Sequence, residues 1–300
     1  MQTQQAAVNG ITITYEDKGP ANGPVILLVM GLGGQLTLWP DEFVDALNAH
    51  GFRTIRYDNR DVGLSTRFDA AGVPNVKWMV VKSMIGLPVR PAYTLADMAA
   101  DGIALLDHLD ITRVHVVGVS MGGMISQHIA ARYSERVLSL TSVMSTTGNR
   151  RLPRAKKEAM QVLANRPMSG DREALIAYSV RAARVIGSPG YPSDEDRLQR
   201  RVRADFERGW YPQGVARQMA AIVADGDRRP LLKAIKAPTL VVHGEDDPLV
   251  PLPGGRDTAD NIAGARLLTI PGMGHDLPLA LVDTLADAIA EHANAVAVTA

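Results

Sequence analysis

The sequence predicts an α/β fold: a mostly parallel central sheet flanked by helices on both faces, with a helical segment inserted. Three observations carry this. Short β-branched runs alternate with amphipathic helical stretches along most of the chain, the pattern of successive βα units. The run at 114–117 is short, apolar and rich in β-branched residues, with one histidine, as a buried strand can be. Between Ser145 and Pro230 strand-like runs vanish and helical stretches, punctuated by Pro and Gly, take over. With 300 residues, 46% of them hydrophobic, a large core can be buried.

In chain order, residues 8–16 read as an edge hairpin strand. Strands are expected near 25–29, 53–57, 114–117, 138–144, 239–243 and 267–270. Helices fill the spaces, at 39–50 and at 94–109, where Thr94 is an N-cap residue. The run 76–88 is apolar and interrupts the alternation. It suits a pocket wall, a lid or a dimer contact as well as an extra helix packed on the core. Four helices are expected in the insertion, at 155–164, 171–185, 194–209 and 213–224. The organisation is therefore a core from 1–144 and 231–300, and a helical cap over 145–230. The cap holds seventeen Lys and Arg against ten Asp and Glu. Solvated helix faces explain that excess more simply than an acid-binding role. Residues 293–300 have little to pack and should fray.

Overall charge excludes several classes of partner. Lys plus Arg and Asp plus Glu are both 32, so neither a nucleic acid nor an acidic membrane surface is expected. There is no cysteine, hence no disulfide and no thiolate chemistry. The N-terminus lacks the basic and apolar regions of a signal peptide, and no apolar run reaches membrane-spanning length. A cytoplasmic location fits these features. A homodimer is left open.

Gly118-Val119-Ser120-Met121-Gly122 is the stretch that points to chemistry. A strand precedes it and a helix follows. A serine on so sharp a turn is forced into a strained conformation with its hydroxyl out of the sheet, and the flanking glycines make room for neighbouring backbone. An acid and a histidine should follow in that order. The strand at 239–243 ends in Gly244-Glu245-Asp246-Asp247, and the strand at 267–270 in Pro271-Gly272-Met273-Gly274-His275. His275 would take the serine proton, and a carboxylate would fix the imidazole tautomer. An oxyanion needs backbone N–H donors. Met121, after the serine, is one, and Leu32, in the Met30–Gly34 loop after strand 25–29, is the other.

These motifs, in this order, resemble the α/β-hydrolase superfamily from about Gly10 to about His292, apart from the variable middle. Tyr57-Asp58-Asn59-Arg60-Asp61-Val62-Gly63-Leu64-Ser65 looks like the family's loop beside the oxyanion strand. With Trp39-Pro40-Asp41-Glu42-Phe43 upstream, the chain is similar to the aclacinomycin methylesterase-like branch of bacterial esterases. It departs from the family at Asp61, where many relatives carry Gly, and at Met30, where relatives often carry His. The resemblance implies that the acid is Asp247, third after the glycine, over Asp246 and Glu245. A rival acid position after the strand ending near Met144 is empty here, since Ser145-Thr146-Thr147-Gly148 has no carboxylate. His243 reads as a hydrogen-bonded buried histidine, and Asp58 and Arg60 as makers of local structural bonds.

The implied activity is a serine carboxylesterase acting on small to medium carboxylic esters through an acyl-enzyme. The alternatives are a C–C-bond hydrolase, a lactonase, a perhydrolase, an aminopeptidase of the proline-iminopeptidase kind and a ligand receptor of the same fold. An aminopeptidase would need acids such as Asp194-Glu195-Asp196 to hold an amine, but acids also favour helix N-termini. The seven histidines form no metal-ligand motif, so neither a catalytic metal nor a cofactor is expected.

Overall fold

The computed structural model describes residues 3–297. Its strands are β1 (Gln4–Val8), β2 (Ile11–Lys18), β3 (Val25–Val29), β4 (Arg53–Tyr57), β5 (Val114–Val119), β6 (Val137–Val143), β7 (Thr239–Gly244) and β8 (Arg266–Ile270). They form one sheet in the order β1-β2-β4-β3-β5-β6-β7-β8. β1, β2 and β4 pair antiparallel, and every pairing from β4 to β8 is parallel. The β1–β2 turn is Asn9-Gly10, both at positive φ (48° and 75°), which suits a tight hairpin.

Strands buried on both faces need helices on both sides. All five residues of β3 are buried. On one face lie α1 (Asp41–Ala49) and, after α10 (Pro253–Asp260) between β7 and β8, α11 (Val282–Ala297); α1 and α11 pack Phe43, Leu47, Leu285 and Ile289 against Ile26, Leu28 and Val117. On the other lie α3 (Leu95–His108) and α4 (Met121–Arg132), which pack Met98, Leu105, Ile125 and Ile129 against Leu27, Ile55 and Val116. Each such side chain contributes about 1.5–3 kcal/mol by leaving water. Thr94 caps α3 through a reciprocal box with Asp97.

The expected fraying of 293–300 is corrected over its first part. Helix α11 continues to Ala297, Ala293 is buried, and His292 reaches the Pro238 carbonyl. Residues 298–300 lie outside the described residues.

Between β6 and β7 only helices occur among the described residues: α5 (Lys157–Ala164), α6 (Arg172–Ile186), α7 (Glu195–Gly209), α8 (Pro212–Asp225) and the short α9 (Arg229–Leu232). Asp171 and Asp194 accept the backbone N–H groups of Ala174 and Arg197 and so cap α6 and α7; α8 starts on a proline. α6 and α7 bury Ile176, Val180, Leu198 and Val202 between them. The apolar run at 76–88 holds a helix, α2 (Val76–Met84), of which only Met79 is buried. With Arg90 and Arg217 it walls a groove of about 680 Å³ whose lining includes none of Ser120, Asp247 and His275. Trp78, Met84 and Ile85 stay exposed, so the helix buries Met79 alone and leaves its outer face bare. Among the described residues no helix is long and apolar enough to cross a membrane.

Candidate active site

Ser120 lies between the end of β5 and the start of α4, at φ 56° and ψ −118°. A non-glycine residue there costs about 1–3 kcal/mol, and surrounding structure must hold it. Its N–H donates to the Val143 carbonyl (2.9 Å), and its carbonyl accepts from Ser145 Oγ (2.8 Å). The glycines are required by close approach. A Cβ at Gly122 would run into the Val29 carbonyl, and one at Gly118 into Gly122 and Ser126.

Ser120, His275 and Asp247 are brought together. His275 Nε2 stands 2.9 Å from Ser120 Oγ, and its Nδ1 stands 2.7 Å from Asp247 Oδ2. A carboxylate can only accept, so Nδ1 carries the proton and Nε2 is left to accept from the serine. Asp247 is buried, and its other oxygen accepts the Leu249 and Val250 N–H groups, both at 2.8 Å. Its neighbours do other work. Glu245 and Asp246 are exposed; Asp246 accepts the Gly272 N–H and Glu245 the Thr269 hydroxyl. His243 is fully buried with Nε2 2.8 Å from the Val250 carbonyl, the hydrogen-bonded histidine expected. Burial lowers its pKa, partly offset by that bond and by Asp247.

The Met30–Gly34 loop lies against the serine. A Cβ on Gly31 would stand 3.1 Å from Ser120 Cβ. Within the loop the Gly33 N–H donates to Gln218 Oε1 (2.8 Å) and the Gly34 N–H to the Gly31 carbonyl (3.1 Å). The Leu32 and Met121 N–H groups donate to no acceptor among the described residues. Two unspent donors thus flank the serine.

The chain matches the model of the alpha/beta hydrolase fold family over residues 24–279. It belongs to the α/β-hydrolase family. It is 31% identical to the rhodomycin D methylesterase DnrP of Streptomyces peucetius over 99% of this chain and all of that one. It is 26% identical to 3-oxoadipate enol-lactonase 2 of Acinetobacter baylyi over 86% of this chain and 84% of that one. Among solved structures, the enol-lactonase from Burkholderia xenovorans aligns with a TM-score of 0.72 at 26% identity, covering 97% of this chain and all of that one.

This hydrolase carries contacts around the site that its motifs do not announce. Helix α8 sends Gln218 between the loops after β3 and β4, where it also donates to the Arg60 carbonyl (2.8 Å). The insertion grips the His275 loop as well. His275 N–H donates to the Ile186 carbonyl (2.7 Å), Gly190 N–H to the Gly272 carbonyl (2.9 Å), and Gly274 N–H to Ser188 Oγ (2.8 Å). Ser188 Oγ in turn bonds Asp276, whose pKa burial raises. The only sequence signal was the Ser188–Pro192 punctuation, which carries no address.

Asp58 and Arg60 are structural, as expected, but their bonds are not only local. Asp58 accepts the Leu64 and Leu36 N–H groups and pairs with Arg208 of α7, while Arg60 pairs with Asp101 of α3. Asp61, where the family resemblance leads us to expect Gly, sits at φ 65°. That conformation explains the glycine preference, and Asp tolerates it better than most residues. Its carboxylate is held by Arg217 at 2.7 and 2.9 Å and by the Tyr93 hydroxyl at 2.7 Å. Met30 is buried and offers its carbonyl to Asn59 Nδ2 (3.0 Å).

Proposed function

We propose that this hydrolase is a serine carboxylesterase with Ser120 as nucleophile, His275 as general base and Asp247 as the carboxylate that orients it. The unbroken hydrogen-bond chain from Ser120 Oγ through His275 to Asp247 carries the reading. Ser120 Oγ attacks the ester carbonyl carbon as Nε2 takes its proton; the imidazolium then protonates the departing alcohol, leaving an acyl-serine. Water repeats the cycle from the other side and releases the acid. The Leu32 and Met121 N–H groups receive the oxyanion, at two positions left unspent by the fold. Residues 145–230 act as a cap on a core of 1–144 and 231–300, and touch the loops that hold Leu32 and His275. The methylesterases among the relatives make methyl esters the first substrates to try. The absence of cysteine suits a cytoplasmic enzyme.

Two of the three acids that an aminopeptidase would need are otherwise engaged. Asp194 caps α7 and Glu195 pairs with Arg184.

Ser120→Ala tests the reading. Ester hydrolysis should fall by about 10⁴-fold or more, to the remainder given by binding and oxyanion stabilisation. A fluorophosphonate should label Ser120 alone by peptide mass. Near wild-type turnover of a p-nitrophenyl ester by the alanine variant would overturn it, and a single slow turnover by the wild type would mark a receptor instead.

A further inference from the structure

Eight of the seventeen Lys and Arg residues of the insertion form ion pairs. Arg184, Arg197 and Arg203 pair with surface glutamates, and Arg208 and Arg217 with the buried Asp58 and Asp61. Arg166 is not among them. It lies in the loop between α5 and α6, is half-buried, and makes no hydrogen bond or ion pair with any described residue. Its guanidinium rests on the Met30–Gly34 loop: a Cβ on Gly33 would stand 3.2 Å from Arg166 Nη1 and 2.7 Å from Val215 Cγ2. Gly33 is the residue after Leu32. Burial lowers the Arg166 pKa, and the one group that offsets this is the Tyr178 phenol, which donates its proton to the Val162 carbonyl. A guanidinium has five N–H donors and stays charged at neutral pH. Part-buried beside the Met30–Gly34 loop with none of them bonded to protein, it lacks an acid partner, and among the described residues no carboxylate offers one.

We propose that Arg166 is a substrate-binding residue that receives a carboxylate carried by the ester in addition to its scissile group. This rests on the serine esterase reading above. The planar fork matches a carboxylate in bidentate geometry, so both partners gain what the protein alone does not supply. The natural substrate is then an anionic ester, such as a half-ester of a dicarboxylic acid or the acyl ester of a hydroxy acid. The position of Arg166 beside the oxyanion loop places that anion near the ester carbonyl and not at a remote surface.

Two matched pairs of substrates test this. Monomethyl glutarate is compared with methyl pentanoate, and 4-acetoxybutanoate with butyl acetate, by kcat/KM in wild type and Arg166→Gln. The wild type should prefer the anionic member of at least one pair. The glutamine variant should lower that anionic-to-neutral ratio by about tenfold or more, chiefly through KM, and Arg166→Lys should recover part of it. A wild-type ratio that never favours the anion, or one that Arg166→Gln leaves within about twofold, overturns the proposal. If the variant fails to fold, the wild type still decides. Glutarate should inhibit competitively, and added salt should weaken both that inhibition and the substrate preference; neither effect appearing would sink the idea. Failure of the esterase reading looks different, since then neither member of a pair turns over and fluorophosphonate does not label Ser120.

Discussion

Asp247 and Asp61 are both buried carboxylates in loops at the ends of parallel strands, and both accept backbone N–H groups. They differ in the cation they face. Asp61 is clamped by Arg217, whose pKa that bond raises, and by a tyrosine hydroxyl. Asp247 faces His275, an imidazole that changes charge when it accepts a proton from a nucleophile. A carboxylate paired with a permanently charged guanidinium can fasten two segments together but has nothing to respond to. A carboxylate paired with a base that changes charge during a reaction can stabilise the changed state. Residue type and burial are shared, so it is the partner's ability to change charge that makes Asp247 the candidate for chemistry and Asp61 a part of the architecture.

The sharpest way to break that comparison is to neutralise each acid. Asp247→Asn should lower kcat by roughly 10⁴-fold at unchanged thermal midpoint, because an amide can donate to Nδ1 and stabilise the wrong imidazole tautomer. Asp246→Asn should cost far less, since Asp246 is exposed and accepts only the Gly272 N–H. A crippled Asp246 variant beside a healthy Asp247 variant would shift the assignment by one residue. Equal loss of kcat in a well-folded Asp61→Asn variant would erase the distinction between the two aspartates.

Arg217→Met should act on stability. It leaves Asp61 buried without its cation, at a cost of about 3–5 kcal/mol in denaturant unfolding. Adding Asp61→Asn to it should recover part of the loss, because asparagine needs no cation and tolerates the positive φ. A loss below about 1 kcal/mol in the single variant would mean that Arg217 is not the staple described, since exposed pairs contribute only that much.

The same contrast explains what could be read from the chain. Asp247 and His275 each stand in a loop directly after an apolar run, and Ser120 between two glycines on a strand-to-helix turn. Short-range pattern therefore locates them. Strand 25–29 was legible to the residue because a strand buried on both faces leaves an uninterrupted apolar run. The staples were not legible. Gln218 meets Gly33, Arg217 meets Asp61 and Arg208 meets Asp58 only after the insertion folds back across the sheet. No periodicity ties such partners together, so Asp58 and Arg60 were expected to bond locally. The tail at 293–297 was misjudged for a related reason. Its small residues look unable to pack, yet Ala293 fits because a small side chain lets α11 approach the core.

Acid gives a gentler test, because the two regions differ in their histidines. The Arg217–Asp61 staple has none among its partners, whereas the sheet that presents Ser120 buries several. His115, on β5, bonds Ser139 at 2.8 Å, and burial pushes its pKa down to about 4; burial also lowers His243 and His292. In the unfolded chain a histidine titrates at about 6.5. Between these values the unfolded state holds a proton that folded His115 refuses, so stability is complete above about 6.5 and declines as pH falls towards about 4. One such group contributes a slope of up to about 1.4 kcal/mol per pH unit within that window. Denaturant unfolding across it should show the decline in the wild type, and His115→Gln, which keeps a polar group for Ser139, should lose about one proton's share of it. A wild-type profile flat over that range would remove the acid contrast between sheet and staple. A His115→Gln slope equal to the wild type would assign the acid response to His243 and His292 instead.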